Sequence, residues 1–301
     1  MVRQVAGVSS SETLASPAAR KRRRKSGVLR SRSRWGLVLS LPALLVVLVF
    51  VLYPTLQTVY YSFTNWNGVS ADFIGLANYT STVFTGPGVH QILMNNLIFI
   101  LSVPIAVFIE YCVAFLIWTG IRGGTLMRVL LFLPMAASWA AVGLLFREIL
   151  LQFAPTWLST PTLSLIVVIL AFHWTTSGTN VMIMYAGLST VDRAQVEAAT
   201  LDGAGQFRVM TRIVAPNVLA FIDFAVIITL IMSMTSIFGL IYTFDFGGPG
   251  FSTTTLEFNL YQSGFSVGDF GLAAATGVLI LVITILVSLA RVIPTIKRLQ
   301  S

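Results

Sequence analysis

Six stretches of this 301-residue chain are each long, apolar and nearly free of charge. They run roughly over Trp35–Tyr61, Asn96–Thr119, Leu126–Leu150, Leu163–Leu188, Asn217–Thr243 and Phe270–Ile293. A helix rises 1.5 Å per residue and a bilayer core is about 30 Å thick, so about 20 such residues make one crossing. The runs are continuous rather than alternating, which points to membrane helices and away from barrel strands. Composition agrees. Charged residues are 10% of the chain and hydrophobic ones 56%, against about 25% and 45–50% in soluble domains. The expected fold is therefore an all-α integral membrane protein with six transmembrane helices.

The net charge of +8 would by itself suggest nucleic-acid binding. Its distribution argues otherwise. Residues 1–34 hold ten Lys or Arg and one acid, a local charge of +9, and the other 267 residues carry −1. The tail is rich in Ser and poor in core-forming side chains, so it reads as a disordered cytoplasmic segment, residues 1–34. It abuts the first apolar run, where positive charge holds a helix end on the cytoplasmic side. No nucleic-acid partner is expected.

Basic residues orient the rest. Arg122 and Arg128 flank the second connection, Arg193, Arg208 and Arg212 lie in the fourth, and Arg291, Lys297 and Arg298 close the chain. The connections near 62–95, 151–162 and 244–269 have no Lys or Arg. Both termini are thus expected in the cytoplasm, with residues 35–301 forming one six-helix membrane domain. The single cysteine, Cys112, has no metal-site spacing. Neither a metal site nor a catalytic motif is expected, and no Gly-x-x-x-x-Gly-Lys-Ser/Thr phosphate loop occurs.

The fourth connection, about 189–216, has a pattern of its own. Ser189 or Thr190 is placed to cap a short helix, with Asp192 in its first turn. Val196, Ala199 and Thr200 share one face at helical spacing. Gly203 and Gly205 permit a tight bend. Phe207, Met210, Ile213 and Val214 then begin a second amphipathic helix that Pro216 leads into the fifth span.

Glu197-Ala198-Ala199, then Gly203, Ile213 and Pro216, resemble the EAA loop of permease subunits in ABC importers. Asp202 and Ala204 extend the match toward the carbohydrate branch, the maltose and glycerol-3-phosphate type. So do Gly247-Gly248-Pro249, Tyr53-Pro54 and Gly75-Leu76-Ala77-Asn78-Tyr79. The resemblance covers nearly all of the chain from Trp35 onward, although Ala215 stands where Leu is usual. It implies a type I importer permease fold in a bacterial inner or plasma membrane. Glu197, Ala198, Ala199, Asp202 and Gly203 would couple to a dimer of ATP-binding subunits. ATP and Mg would be handled by those subunits, with no cofactor on this chain. A second homologous permease, an extracytoplasmic solute-binding protein and a carbohydrate substrate complete the implied partners, with membrane lipid around them.

The same resemblance marks two polar stretches inside apolar helices as the cavity lining. Thr175, Thr176, Thr179, Ser233, Met234 and Ile237 are the candidates; the alternative is that these hydroxyls bond only to helix backbone. Glu110, His173 and Asp223 are the ionisable groups within spans. A secondary carrier would couple ions through such groups; hydrogen bonds between helices or snorkelling is the preferred reading.

Overall fold

A computed structural model describes residues 39–300, with side chains through Pro294. The basic tail of residues 1–34 lies outside the described residues. Contacts divide the chain into two units, Met1–Leu56 and Gln57–Ser301. Of the first, residues 39–56 are helical, with one π-helical turn at Leu48–Leu52. They belong to helix α1, Leu39–Tyr61.

The helices of the second unit include α2 Val89–Trp118, α3 Gly124–Met135, α4 Trp139–Phe153 and α5 Pro161–Leu188. Then come α6 Arg193–Leu201, α7 Gln206–Asn217, α8 Leu219–Thr235, α9 Phe238–Phe244, α10 Leu256–Tyr261 and α11 Phe270–Gln300. Among the described residues, four helices are long and apolar enough to cross a membrane: α1, α2, α5 and α11 through Pro294. The count rises to six if α3 with α4, and α7 with α8, are each one bent span.

Pro54, Pro104 and Pro134 lie inside the expected spans, where kinks are expected, and the first of these bends falls just beyond Pro134. α3 and α4 meet at 104°, just after Pro134, and Ser138 caps α4 by accepting a bond from the Ala141 N–H at 3.2 Å. α7 and α8 meet at 81° across Val218. The fifth span was expected to reach Thr243. Instead α8 stops at Thr235, and α9 is a separate helix. Pro104, by contrast, sits inside an α2 that continues without a break.

α2 packs on α5 and α8, α3 on α5, α4 on α9, and α8 on α11. Two large apolar clusters result. The first gathers Tyr111, Phe115 and Trp118 of α2 with Met184 and Leu188 of α5 and Val214 and Val218 beside the α7–α8 bend. The second joins Phe99 and Phe172 to Val142 of α4 and to Ile237, Leu240 and Phe244 around α9. Small residues set the closest approaches, as they do where membrane helices gain no hydrophobic drive against lipid. A Cβ on Gly178 of α5 would lie 2.5 Å from the Leu131 carbonyl oxygen of α3. One on Gly143 of α4 would strike Thr243 Oγ1 and the Leu240 carbonyl of α9.

The segments between helices are held by side-chain bonds to backbone. Asn78 Nδ2 donates to the Ser62 and Thr64 carbonyls at 3.0 and 2.8 Å, and Asn95 Nδ2 to those of Phe251 and Thr254 at 2.9 and 2.8 Å. These bonds meet a requirement that water would otherwise meet.

The α4–α9 contact gives a direct test. Gly143→Val should separate the two helices and break the 2.9 Å bond from Thr243 Oγ1 to the Ala140 carbonyl. The expected cost is about 1–3 kcal/mol, seen as a lower melting temperature of the purified protein. Gly124→Ala, whose Cβ would meet only Ile121 Cγ2 at 3.9 Å, should leave it unchanged.

Candidate functional site

The loop of residues 189–216 is built on α6. Its cap is Asp192, whose Oδ1 accepts from the Ala194 N–H at 2.9 Å. Ser189 and Thr190 were expected in that role. Their hydroxyls instead donate back to the Tyr185 and Gly187 carbonyls and close α5. At the other end Gly203 has φ +83°, and a Cβ there would meet nothing within 4 Å. The constraint on this glycine is therefore the left-handed backbone. The Gly203 N–H reaches the Thr200 carbonyl at 3.1 Å and the Ala204 N–H the Ala199 carbonyl at 2.9 Å, the two bonds of a Schellman stop.

Val196 and Ala199 face the apolar cluster of α2 and α5, as their spacing implied, but Thr200, expected on the same face, is exposed and its hydroxyl donates to the Val196 carbonyl at 2.8 Å. Arg193 stands 5.6 Å over the Trp118 ring, and Tyr111 Oη donates to the Met210 carbonyl of α7 at 2.9 Å. Glu197, Ala198, Asp202 and Gly203 are exposed and Ala199 is half-buried. Two residues the sequence reading did not single out for docking share that exposure: Leu201 at 89% and Phe207 at 69%. Phe207 was expected on the buried face with Met210, Ile213 and Val214. Its position three residues ahead of Met210 allowed that, but α7 begins only at Gln206, so Phe207 lies at its free end.

Inside the membrane, polar groups form a seam between helices. Asn180 Nδ2 of α5 donates to Glu110 Oε2 of α2 and to Thr229 Oγ1 of α8, each at 2.8 Å. His173 Nε2 and Ser102 Oγ are 2.8 Å apart, and Arg291 of α11 pairs with Asp223 of α8 at 3.1 Å. All three ionisable groups singled out in the sequence thus bond between helices. Glu110 Oε1 and His173 Nδ1 are buried without a partner.

Of the six cavity candidates, Thr175, Thr176 and Thr179 lie between His173 and Asn180 on α5, and Ser233 follows Thr229 by one turn on α8. Thr175, Thr176, Ser233, Met234 and Ile237 are buried in the chain, and Thr179 is half-buried. Thr175 donates to the Ala171 carbonyl at 2.8 Å, Thr176 to that of Phe172 at 3.3 Å, and Ser233 to that of Leu230 at 2.8 Å. Each hydroxyl oxygen keeps acceptor capacity after that bond. Ile237 and Phe238 open α9, and their N–H groups both reach Glu257 Oε2 at 2.9 Å.

Beyond the spans, burial pushes the Glu257 carboxyl up to about 7, against the pull of those two N–H groups. Asp245 is also raised by burial, while Ser164, Thr253 and the Gly247 N–H hold its charged form at 2.6, 2.7 and 3.2 Å. Gly247 and Gly248, with φ +96° and +73°, turn the backbone around that carboxylate.

Residues 73–294 match the family described as binding-protein-dependent transport system inner membrane component. The permease SmoG of Agrobacterium fabrum, from a sulfoquinovosyl glycerol transport system, is 30% identical over 84% of this chain and 87% of its own. UgpA of Pectobacterium atrosepticum, an sn-glycerol-3-phosphate permease, is 29% identical over 84% and 92%. MsmF of Streptococcus mutans, from a multiple sugar-binding transport system, is 26% identical over 86% and 94%. A chain of a bacterial ABC transporter that imports alginate shares the fold, with a TM-score of 0.73 over 90% of this chain and 98% of that one, at 19% identity.

Glu257 yields a pH-dependent outcome. Between its ordinary value of 4.5 and about 7 the folded chain keeps a proton that the unfolded chain has released. Stability from this group is full below pH 4.5 and is lost as pH rises to 7, by at most about 3 kcal/mol. Melting temperatures of the purified protein at pH 5 and pH 8 should differ more for the native chain than for Glu257→Gln. Equal differences would contradict the assignment.

Proposed function

Since the chain belongs to the family of binding-protein-dependent transport inner-membrane components, we propose that it is the permease subunit of an ATP-driven carbohydrate importer. It is a multi-pass inner-membrane transport component and not an enzyme. The family match over residues 73–294 carries the reading, and the sugar and glycerol-phosphate systems named for its relatives support the substrate class.

In this reading α6 is the coupling helix. Glu197, Ala198, Ala199, Asp202 and Gly203, together with Leu201 and Phe207, meet a cytoplasmic ATP-binding subunit. A pair of such subunits hydrolyses ATP with Mg. An exposed apolar pair beside a carboxylate suits a protein contact, where apolar anchors bury and a rim charge finds a counter-ion. The contacts behind α6 make the transmission stiff. Force on its outer face passes through Val196 and Ala199 to α7, and across the bend at Val218 to α8. The far end of α8 carries Ser233 and Met234, with Ile237 just beyond. With Thr175, Thr176 and Thr179 they would meet substrate hydroxyls when helices part. A second permease subunit supplies the facing wall, and a solute-binding protein delivers the carbohydrate to the outer mouth.

Reconstitution in liposomes with the ATPase subunits, the second permease and the binding protein tests this. Uptake should require ATP, and solute-loaded binding protein should raise ATP hydrolysis. Uptake without any ATPase would instead identify an ion-coupled carrier. Gly203→Pro demands φ near −65° where the chain has +83° and removes the N–H that reaches Thr200. Transport by this variant should fall roughly tenfold or more while hydrolysis persists uncoupled, with insertion unchanged.

A further inference from the structure

Near the cytoplasmic ends of α3 and α5 lies a cavity of about 270 Å³ that the proposed transport role leaves unused. Its walls are apolar: Leu131 and Phe132 of α3, Val181, Met182 and Ala186 of α5, and Ile117 of α2. Its one charge is Arg128. That residue lies four positions into α3, about 6 Å from its start, the depth of a lipid headgroup rather than of the bilayer centre.

Arg128 is exposed and forms no ion pair among the described residues. Its guanidinium rests 4.6 Å over the Tyr185 ring, and Nη2 donates to Tyr185 Oη at 3.0 Å. This bond uses the phenol oxygen as acceptor and leaves the Tyr185 O–H hydrogen to donate outward. A cation and a hydroxyl donor therefore stand together at the mouth of an apolar groove. Arg193, over Trp118 next to Ile117, adds positive charge at the same end.

We propose that this groove holds an anionic phospholipid of the inner leaflet. One acyl chain lies along Leu131, Phe132, Val181 and Met182. The phosphate is held by the Arg128 guanidinium and the Tyr185 hydroxyl. Basic pockets between helices on the cytoplasmic side take anionic headgroups in this way. A free phosphate would use the cation but leave the apolar walls bare, so the lipid is the occupant that satisfies both. The site is independent of which solute is carried.

The test uses the full chain with Ala186→Cys as its sole cysteine, in a Cys112→Ala background, labelled with bimane and placed in phosphatidylcholine vesicles. A minor fraction of the lipid is phosphatidylglycerol or phosphatidylcholine with brominated acyl chains. Bromine quenches only at short range, so lipid held far from the groove contributes little, and quenching by the surrounding bilayer is the same for the two brominated lipids. Brominated phosphatidylglycerol should quench at roughly fivefold lower content than brominated phosphatidylcholine. Arg128→Gln should abolish the difference while leaving the melting temperature unchanged. Equal quenching by the two lipids in the native background would overturn the proposal. So would a preference that survives Arg128→Gln, or one that millimolar inorganic phosphate removes.

Discussion

Water is absent from the bilayer core, so polar groups placed there are satisfied chiefly by partners within the protein. Much of this fold follows from that requirement. The backbone answers it with helices. The side chains answer it twice over: Thr175, Thr176 and Ser233 return their protons to carbonyls of their own helix. Asn180 ties Glu110 to Thr229, and Arg291 meets Asp223. The groups that would be most costly alone thus become the joints between α2, α5, α8 and α11.

Breaks in the helices occur where such partners are supplied. The gap between α8 and α9 exposes the Ile237 and Phe238 N–H groups, and Glu257 receives both. The Gly247-Gly248 turn folds onto Asp245, and Asn95 holds the carbonyls of Phe251 and Thr254. These clamps sit beyond the carboxyl end of α8. At the other end, the 81° bend joins α8 to a loop fastened by Tyr111, Val196 and Ala199. A helix gripped at both ends is suited to turn as a unit, and the proposed transport cycle asks that of it.

The sequence made the spans and the loop legible because both rest on local rules. Apolar run length marked the crossings, and the glycine at 203 marked a stop that the left-handed φ bears out. What it missed depended on partners far along the chain. The fifth run is longer than its helix because it breaks at Ser236, whereas the break in the third span, expected at Pro134, falls where Ser138 caps α4. Phe207 fitted an inward helical face by spacing, yet it stands free because α7 starts beside it. Asp192, rather than Ser189 or Thr190, caps α6 because α5 continues to Leu188 and engages both hydroxyls.

Sequence alone determined the class of molecule. A chain with 56% hydrophobic residues and its excess charge gathered in one tail has few options besides a membrane bundle with a fixed orientation. Tertiary structure decided which polar residues serve structure. Asn180 reads as one more polar residue in a helix until α2 and α8 bring Glu110 and Thr229 to it. It also decided where a charge stands without a counter-ion among the described residues: Arg128, read as a marker of sidedness, became the single cation lining an apolar groove. The reason is physical. Hydropathy and helix period are properties of a segment, whereas satisfaction of a buried polar group is a property of its neighbours.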